Sequence, residues 1–122
     1  MGGFGDLEKA RRKANKLGLN GDVRVLVVCM DRKTGKCCRK DEMVDAWDRL
    51  KRRTKKWNRD GGGSLLRLKS ACLGICAGGP IIGILPEGVW YGNCDEATID
   101  RIFDEHLARG ELITENLIAK PR

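Results

Sequence analysis

The chain lacks several features that would each define a class of protein. Its 122 residues contain no run of 18 apolar residues, so no membrane span is expected. The first residues lack the basic-then-apolar pattern of an export signal, so we expect a cytoplasmic location. The chain also has no Ser/His/Asp arrangement, no phosphate-binding glycine motif and no Cys-x-x-Cys pair. These absences argue against hydrolases, phosphate-binding loops and thiol–disulfide enzymes.

Six cysteines stand out against this background, and four of them form two spaced pairs. Cys29 and Cys38 flank a basic loop that follows an apolar run, and Cys72 and Cys76 form a Cys-x3-Cys pair. Four thiolates that converge in a fold can hold a metal ion or an iron–sulfur cluster. The spacing is unlike the recurring Cys-x2-Cys pairs of structural zinc sites, but spacing alone leaves the kind of centre open.

The positive charge is concentrated in one part of the chain. The formal net charge is +7, and the segment from Arg32 to Arg59 has twelve Lys or Arg against four Asp or Glu. Such a segment could meet nucleic acid, an anionic membrane or an acidic protein, or it could be a solvated helix face. Aromatic residues make up only 5% of the chain, which argues against a four-cysteine zinc protein that binds nucleic acid.

Apolar periodicity and turn residues predict a single domain of the α/β (α+β) class. We expect the turns that carry the cysteines to meet at one edge of a small mixed sheet with helices packed on it. Residues 23–28 are β-branched and mostly apolar, as in a strand that is covered on both faces. The pattern gives no clear structure for 111–122. It predicts helices at 6–17, 41–57 and 95–109 and strands at 23–28, 65–69, 81–85 and 89–91.

Three strings in the second half of the chain resemble the thioredoxin-like [2Fe–2S] ferredoxins. Residues 72–80 (CLGICAGGP) look like the second ligand loop of that family, and 86–92 (PEGVWYG) like its hairpin. Residues 104–107 (DEHL), followed by Gly110, look like its closing helix. The first half matches more loosely, from about Val23 onward. The resemblance therefore divides the chain into an N-terminal helical extension at 1–20 and a thioredoxin-like ferredoxin domain at 21–122.

The resemblance implies a non-enzymatic one-electron carrier, often a homodimer, with a [2Fe–2S] cluster as cofactor. It also implies that Cys29, Cys38, Cys72 and Cys76 are the cluster ligands. Cys38 is preferred to Cys37 because the second ligand of the family opens directly into a helix. The first ligand loop departs from the family, since it is shorter and lacks a proline-rich stretch and a following glycine.

The basic residues in and beside the first ligand loop are expected to surround the cluster, tune it and steer a redox partner with an acidic docking face. They are Arg32, Lys33, Lys36, Arg39 and Lys40. The alternative function is an electron-relay subunit or module of a larger redox complex, of the NADH dehydrogenase or hydrogenase type. The N-terminal extension could then serve docking or dimerisation. Neither function involves nucleic acid.

The remaining conspicuous residues have structural interpretations. Cys94 is expected to be a half-buried thiol, the usual state of a spare cysteine. His106 lies on an apolar helix stripe, where a packed and hydrogen-bonded role is more common than metal ligation. We interpret Trp47, Trp57 and Trp90 as packing residues rather than electron relays.

Overall fold

The computed structural model describes residues 6–19, 21–29, 40–61, 63–70 and 79–122. The helices are α1 (Leu7–Lys16), α2 (Lys40–Arg59) and α3 (Glu96–Arg101), and α3 continues as a π-helix over Ile102–Leu107. The strands are β1 (Val23–Cys29), β2 (Ser64–Ser70), β3 (Ile81–Leu85), β4 (Val89–Tyr91) and β5 (Leu117–Ala119).

The strands form one mixed sheet in the order β2-β1-β3-β4-β5. β1 runs parallel to β2 and antiparallel to β3, and β4 and β5 extend the sheet with antiparallel pairs. The mixed sheet is therefore confirmed, with one strand more than the sequence predicts. β5 has only three residues and follows a short 3-10 turn, so no alternation marks it in the sequence.

The main core lies between the sheet and helices α2 and α3. Leu26 and Val28 of β1 are buried on this side, where they meet the apolar stripe of α2. Thr54 in that stripe is also buried, and its hydroxyl is satisfied because it donates a hydrogen bond to the carbonyl of Leu50, 2.7 Å away. Trp57 is half-buried and makes an edge contact with Phe103, with ring centroids 6.1 Å apart. The apolar face of α2 therefore packs on the main core.

The closing helix begins and ends as predicted. The carboxylate of Asp95 accepts a hydrogen bond from the backbone N–H of Thr98 at 2.8 Å, which is an N-cap. At the far end, Gly110 has a φ of +71°, and its N–H donates to the carbonyl of His106 at 2.8 Å. Glycine suits this left-handed position because it has no Cβ. The apolar face between these ends is buried.

The opposite face of the sheet differs from the prediction that β1 is covered on both sides. Val23, Val25 and Val27 are only half-buried, and Leu68 of the neighbouring strand is 54% exposed. The helices α2 and α3 pack on the other face, which accounts for the difference. No residue of α1 is buried, and the side chain of Asp6, which precedes the helix, makes no capping hydrogen bond.

Among the described residues, no helix is long and apolar enough to cross a bilayer.

Candidate metal centre

Cys29 is the last residue of β1, and the strands on both sides of β1 border the segment that contains Cys72 and Cys76. In the parallel ladder Cys29 is paired with Ser70, the last residue of β2. In the antiparallel ladder it is paired with Ile81, the first residue of β3. The end of β1, the end of β2 and the beginning of β3 therefore meet at one edge of the sheet. We call this edge, defined by Cys29, Ser70 and Ile81, the cysteine edge.

Of the four predicted ligands, only Cys29 falls within the described residues. Cys38, Cys72 and Cys76 lie outside them, as does Cys37. Arg32, Lys33, Lys36 and Arg39 also lie outside the described residues, and so does the side chain of Lys40. Within the described ranges, no three His, Cys, Asp or Glu side chains form a group that could hold a metal ion. The ligand set therefore stays a prediction.

The side chain of Cys29 lies in a small apolar cluster of its own. Cys29 and Ile81 are both fully buried, and the half-buried Trp90 packs against them. This cluster is separate from the main core on the helix side of the sheet. The sequence marks Cys29 as the end of a strand, but the contact with Trp90 depends on strand register and was not foreseen.

The second described cysteine, Cys94, belongs to the main core instead. It is fully buried, not half-buried as the sequence predicted. Its thiol donates to the carbonyls of Tyr91 and Gly92, at 3.4 and 3.7 Å. Burial raises the pKa of Cys94 from 9.0 to about 12, so the thiolate that metal binding requires is disfavoured. The expectation that Cys94 is a spare thiol fits this environment.

His106 has hydrogen-bond partners on both ring nitrogens, which confirms its packed role. Nδ1 lies 2.7 Å from the hydroxyl of Tyr91, and Nε2 lies 3.2 Å from a carboxylate oxygen of Glu87. Glu87 is in the turn between β3 and β4, at the end of the sheet opposite the cysteine edge. The same hydroxyl accepts a hydrogen bond from the N–H of Ile113 at 3.3 Å. Burial raises the pKa of Tyr91.

Positive charge in the described residues extends to the strand that borders Cys29. Lys69 is paired with Val28 in the parallel ladder, one residue before the cysteine edge. Its ammonium lies 4.4 Å from the ring centre of Trp47, and the guanidinium of Arg67 lies 5.3 Å from the same ring. Such cation–π contacts hold both charges on the helix side of β2.

Other arginines of α2 are neutralised by α3. Arg49 pairs with Glu96 at 3.0 Å, and Arg53 pairs with Asp104 at 2.7 Å. Several other basic residues of α2 are exposed. They include Arg52, Lys55, Lys56 and Arg59.

Comparison with known proteins finds similarity to [2Fe–2S] ferredoxins. The chain is 38% identical over 56 residues to "Ferredoxin, 2Fe-2S" of Clostridium pasteurianum, covering 46% of this chain and 55% of that protein. It is 35% identical over 51 residues to the protein of the same name from Aquifex aeolicus, covering 42% and 46%. The chain thus spans about half the length of these two relatives. A "Putative 2Fe-2S ferredoxin" of Priestia megaterium is 29% identical over 100 residues, covering 82% and 73%.

Solved structures give the same result for the fold. A thioredoxin-like [2Fe–2S] ferredoxin from Aquifex aeolicus aligns with a TM-score of 0.70 at 23% identity, covering 84% of this chain and 96% of that one. A second structure of that ferredoxin aligns with a TM-score of 0.68, covering 82% and 100%. No family model matches the chain. The resemblance drawn from the motifs and the thioredoxin-like fold are both confirmed.

Proposed function

We propose that this chain is a one-electron carrier that holds a [2Fe–2S] cluster through Cys29, Cys38, Cys72 and Cys76. The relatives and structural neighbours that share its sequence motifs and fold are named as [2Fe–2S] ferredoxins. When bound, such a cluster supplies one-electron redox chemistry at iron that thiolates ligate. The task of the chain is to provide four sulfur ligands, limit the access of water and present the site to a partner.

The observation that carries this proposal is the strand register at the cysteine edge. Ser70 and Ile81 flank Cys29 on its two sides, so the segment between them leaves and re-enters the sheet beside Cys29. Cys72 is two residues from Ser70, and covalent geometry limits their Cα atoms to a separation of about 8 Å. Cys38 is two residues before the first residue of α2 and belongs to the segment that begins at Cys29. This connectivity supports, for Cys72 above all, a place near the cysteine edge.

The chemistry of the donor set fits the proposed cofactor. Soft thiolate ligands favour iron–sulfur clusters, zinc and copper(I) over hard cations such as magnesium. Cys29 is fully buried in an apolar cluster, an environment that excludes water from a ligating sulfur. The other cysteine within the described residues, Cys94, is held as a thiol in the main core and is not part of the proposed set.

The proposal is tested by anaerobic purification followed by iron and acid-labile sulfide analysis. We expect one [2Fe–2S] equivalent per chain and a visible spectrum that bleaches with dithionite. Cys29→Ser and Cys72→Ser should abolish normal loading, whereas the matched control Cys94→Ser should retain it. Comparison of Cys37→Ser with Cys38→Ser identifies the second ligand. Iron-free parent protein, or a colourless zinc-containing one, would overturn the proposal.

We further propose that the redox partner has an acidic docking face. Support comes from the charge of the segment 32–59 and from Lys69, which lies one residue from the cysteine edge in the register. Long-range attraction between opposite charges accelerates encounter and weakens as salt screens it. Replacing Lys33 and Lys36 with Gln should therefore reduce the dependence of the electron-transfer rate on ionic strength.

A matched control removes the same charge elsewhere on the surface. Lys55 and Lys56 are exposed and lie in the last turns of α2, at the end of the helix that is remote from the cysteine edge. Their replacement with Gln should leave the salt dependence close to that of the parent protein. Equal slopes for the two double variants would refute a steering role for the ligand loop.

The second candidate function, a relay subunit of a larger complex, is favoured by the exposure of α1. This helix has no buried residue, and Leu7 is 52% exposed. Five basic residues and one acidic residue surround its apolar stripe. Leu7→Gln and Leu17→Gln should release a stoichiometric partner that copurifies with the parent protein, whereas Leu112→Gln, another exposed leucine, should retain it. Purification of the parent protein without a partner would favour the free carrier.

Homodimerisation and a cytoplasmic location complete the proposal. Support for a dimer comes from the apolar face of the sheet that α2 and α3 leave open, where Val25 and Val27 are half-buried and Leu68 is exposed. A reducing compartment keeps the four thiols available for ligation. Sedimentation equilibrium of the loaded protein should give twice the mass of one chain, and a monomer at micromolar concentration would contradict the dimer.

A further inference from the structure

Trp90 occupies an unusual place between the buried sulfur of Cys29 and the open face of the sheet. Cys29 and Ile81 are fully buried, whereas Trp90 packs against them and stays half-buried. A side chain that contacts a buried group on one side and solvent on the other separates that group from solvent. The indole therefore covers the candidate ligand from the face that α2 and α3 leave open.

The position of this indole depends on the absence of a side chain at Gly83. In the sheet, Gly83 is paired with Trp90 on one side and with Val27 of β1 on the other. A Cβ atom built at Gly83 would overlap the ring atoms Cζ3, Cε3 and Cη2 of Trp90. The six-membered ring thus lies over the backbone of β3, and even an alanine at residue 83 would push it away.

We propose that Trp90, seated on Gly83, is a positioning residue that keeps water from the Cys29 sulfur and thereby sets the lifetime and reduction potential of the cluster. This inference rests on the proposed function. It assigns a specific consequence to a tryptophan that the sequence marks only as a packing residue.

The expected direction follows from electrostatics. Reduction adds negative charge to a site that already carries four thiolates, and water stabilises that added charge. Exclusion of water from one ligating sulfur therefore lowers the reduction potential of the cluster, and removal of the Trp90 indole should raise that potential. Access of water and chelators to the same sulfur also speeds loss of the metal.

The first experiment uses metal-free protein and reports on Cys29 alone. Trp90→Leu removes the indole, and Gly83→Ala leaves the indole intact but displaces it. Trp57→Leu is the matched control, because Trp57 is also half-buried but packs on the main core. Iodoacetamide labelling under reducing conditions is followed by mass spectrometry of the peptide that contains Cys29. Labelling should be several-fold faster in both test variants than in the control, because a thiol reacts according to its exposure.

The second experiment uses the loaded protein under anaerobic conditions. Chelator-driven loss of visible absorbance should be on the order of tenfold faster in Trp90→Leu and Gly83→Ala. Dithionite titration should give a more positive potential for both. Trp90→Phe, which keeps an aromatic ring on Gly83, should restore most of the parent behaviour, and Trp57→Leu should match the parent in both measurements.

The outcomes separate this inference from the proposed function. Parent protein that holds the cluster, together with test variants that behave like Trp57→Leu, would overturn the role of Trp90 alone. Parent protein without iron would overturn the proposed function, and the labelling of Cys29 would then decide whether Trp90 shields it. If Trp90→Leu does not fold by circular dichroism, Gly83→Ala and Trp90→Phe carry the same comparison.

Discussion

Replacement of Tyr91 by phenylalanine should destabilise the protein by an amount that the hydrogen bonds of its hydroxyl allow us to estimate. Tyr91 is fully buried, and its oxygen accepts a hydrogen bond from the N–H of Ile113 at 3.3 Å. If the hydroxyl donates to Nδ1 of His106, the proton of His106 is on Nε2 and is directed at Glu87. Every polar group in this hydrogen-bond network then has a partner.

The Tyr91→Phe variant keeps the ring and removes only the oxygen. Two hydrogen bonds of about 1 kcal/mol each are lost, and the buried N–H of Ile113 loses this partner. The expected decrease in the free energy of unfolding is therefore about 2 kcal/mol. For a domain of this size, that corresponds to a fall in Tm of roughly 10 °C.

Urea denaturation followed by circular dichroism, at pH 7 with and without the cofactor, measures this change. Thr114→Val is the control, because it removes an exposed hydroxyl and should change stability by less than about 0.5 kcal/mol. A double-mutant cycle with His106→Leu isolates the coupling between the two side chains. A loss below about 0.5 kcal/mol for Tyr91→Phe, or a coupling energy near zero, would refute the reasoning.

Three further predictions concern other parts of the fold. Arg53→Met should lower the free energy of unfolding by about 1 kcal/mol at low ionic strength and by less in 1 M salt. The substitution removes two ion pairs with carboxylates and a cation–π contact 5.0 Å from the ring centre of Phe103. Equal losses of stability at both salt concentrations would contradict this. Asn58→Ala should lower the free energy of unfolding by about 2 kcal/mol and accelerate amide exchange at Leu65. The side-chain amide of Asn58 accepts a hydrogen bond from the N–H of Leu65 at 2.9 Å and donates one to its carbonyl at 3.1 Å. An unchanged exchange rate would argue against the role of this pair. The raised pKa of Cys94 in the folded protein means that its contribution to stability is fully present below pH 9 and is lost as the pH rises toward 12. Cys94→Ala should therefore flatten the alkaline decline measured by urea titration, and an unchanged decline would exclude this origin.

The helices could be predicted from the sequence because their signals are local. The stripe on α2 and the face of α3 repeat with the helical period, and Asp95 and Gly110 mark the ends of the closing helix. The structure adds two residues to the C-terminal end of α2, where Asn58 bonds to β2. That extension depends on a tertiary contact, which periodicity does not encode.

The features that the sequence did not predict depend on the pairing of distant strands. β5 has three residues and exists through its pairing with β4. The open face beside β1 could not be distinguished from a covered one, because the same apolar run fits both. At the candidate site, Cys29 was recognisable at a strand end. Its contact with Trp90 follows from the register that places Gly83 beneath the indole.

The division of the interior into two clusters has a consequence for biogenesis. The larger cluster joins α2 and α3 to the sheet without Cys29. The contacts of Asn58 and Tyr91 stabilise the end of the sheet opposite the cysteine edge. We therefore expect the described part of the fold to form before inorganic sulfide and iron arrive. The cluster would then be inserted into protein that has already folded. Cells starved of iron should therefore yield folded, colourless protein that can still take up a cluster.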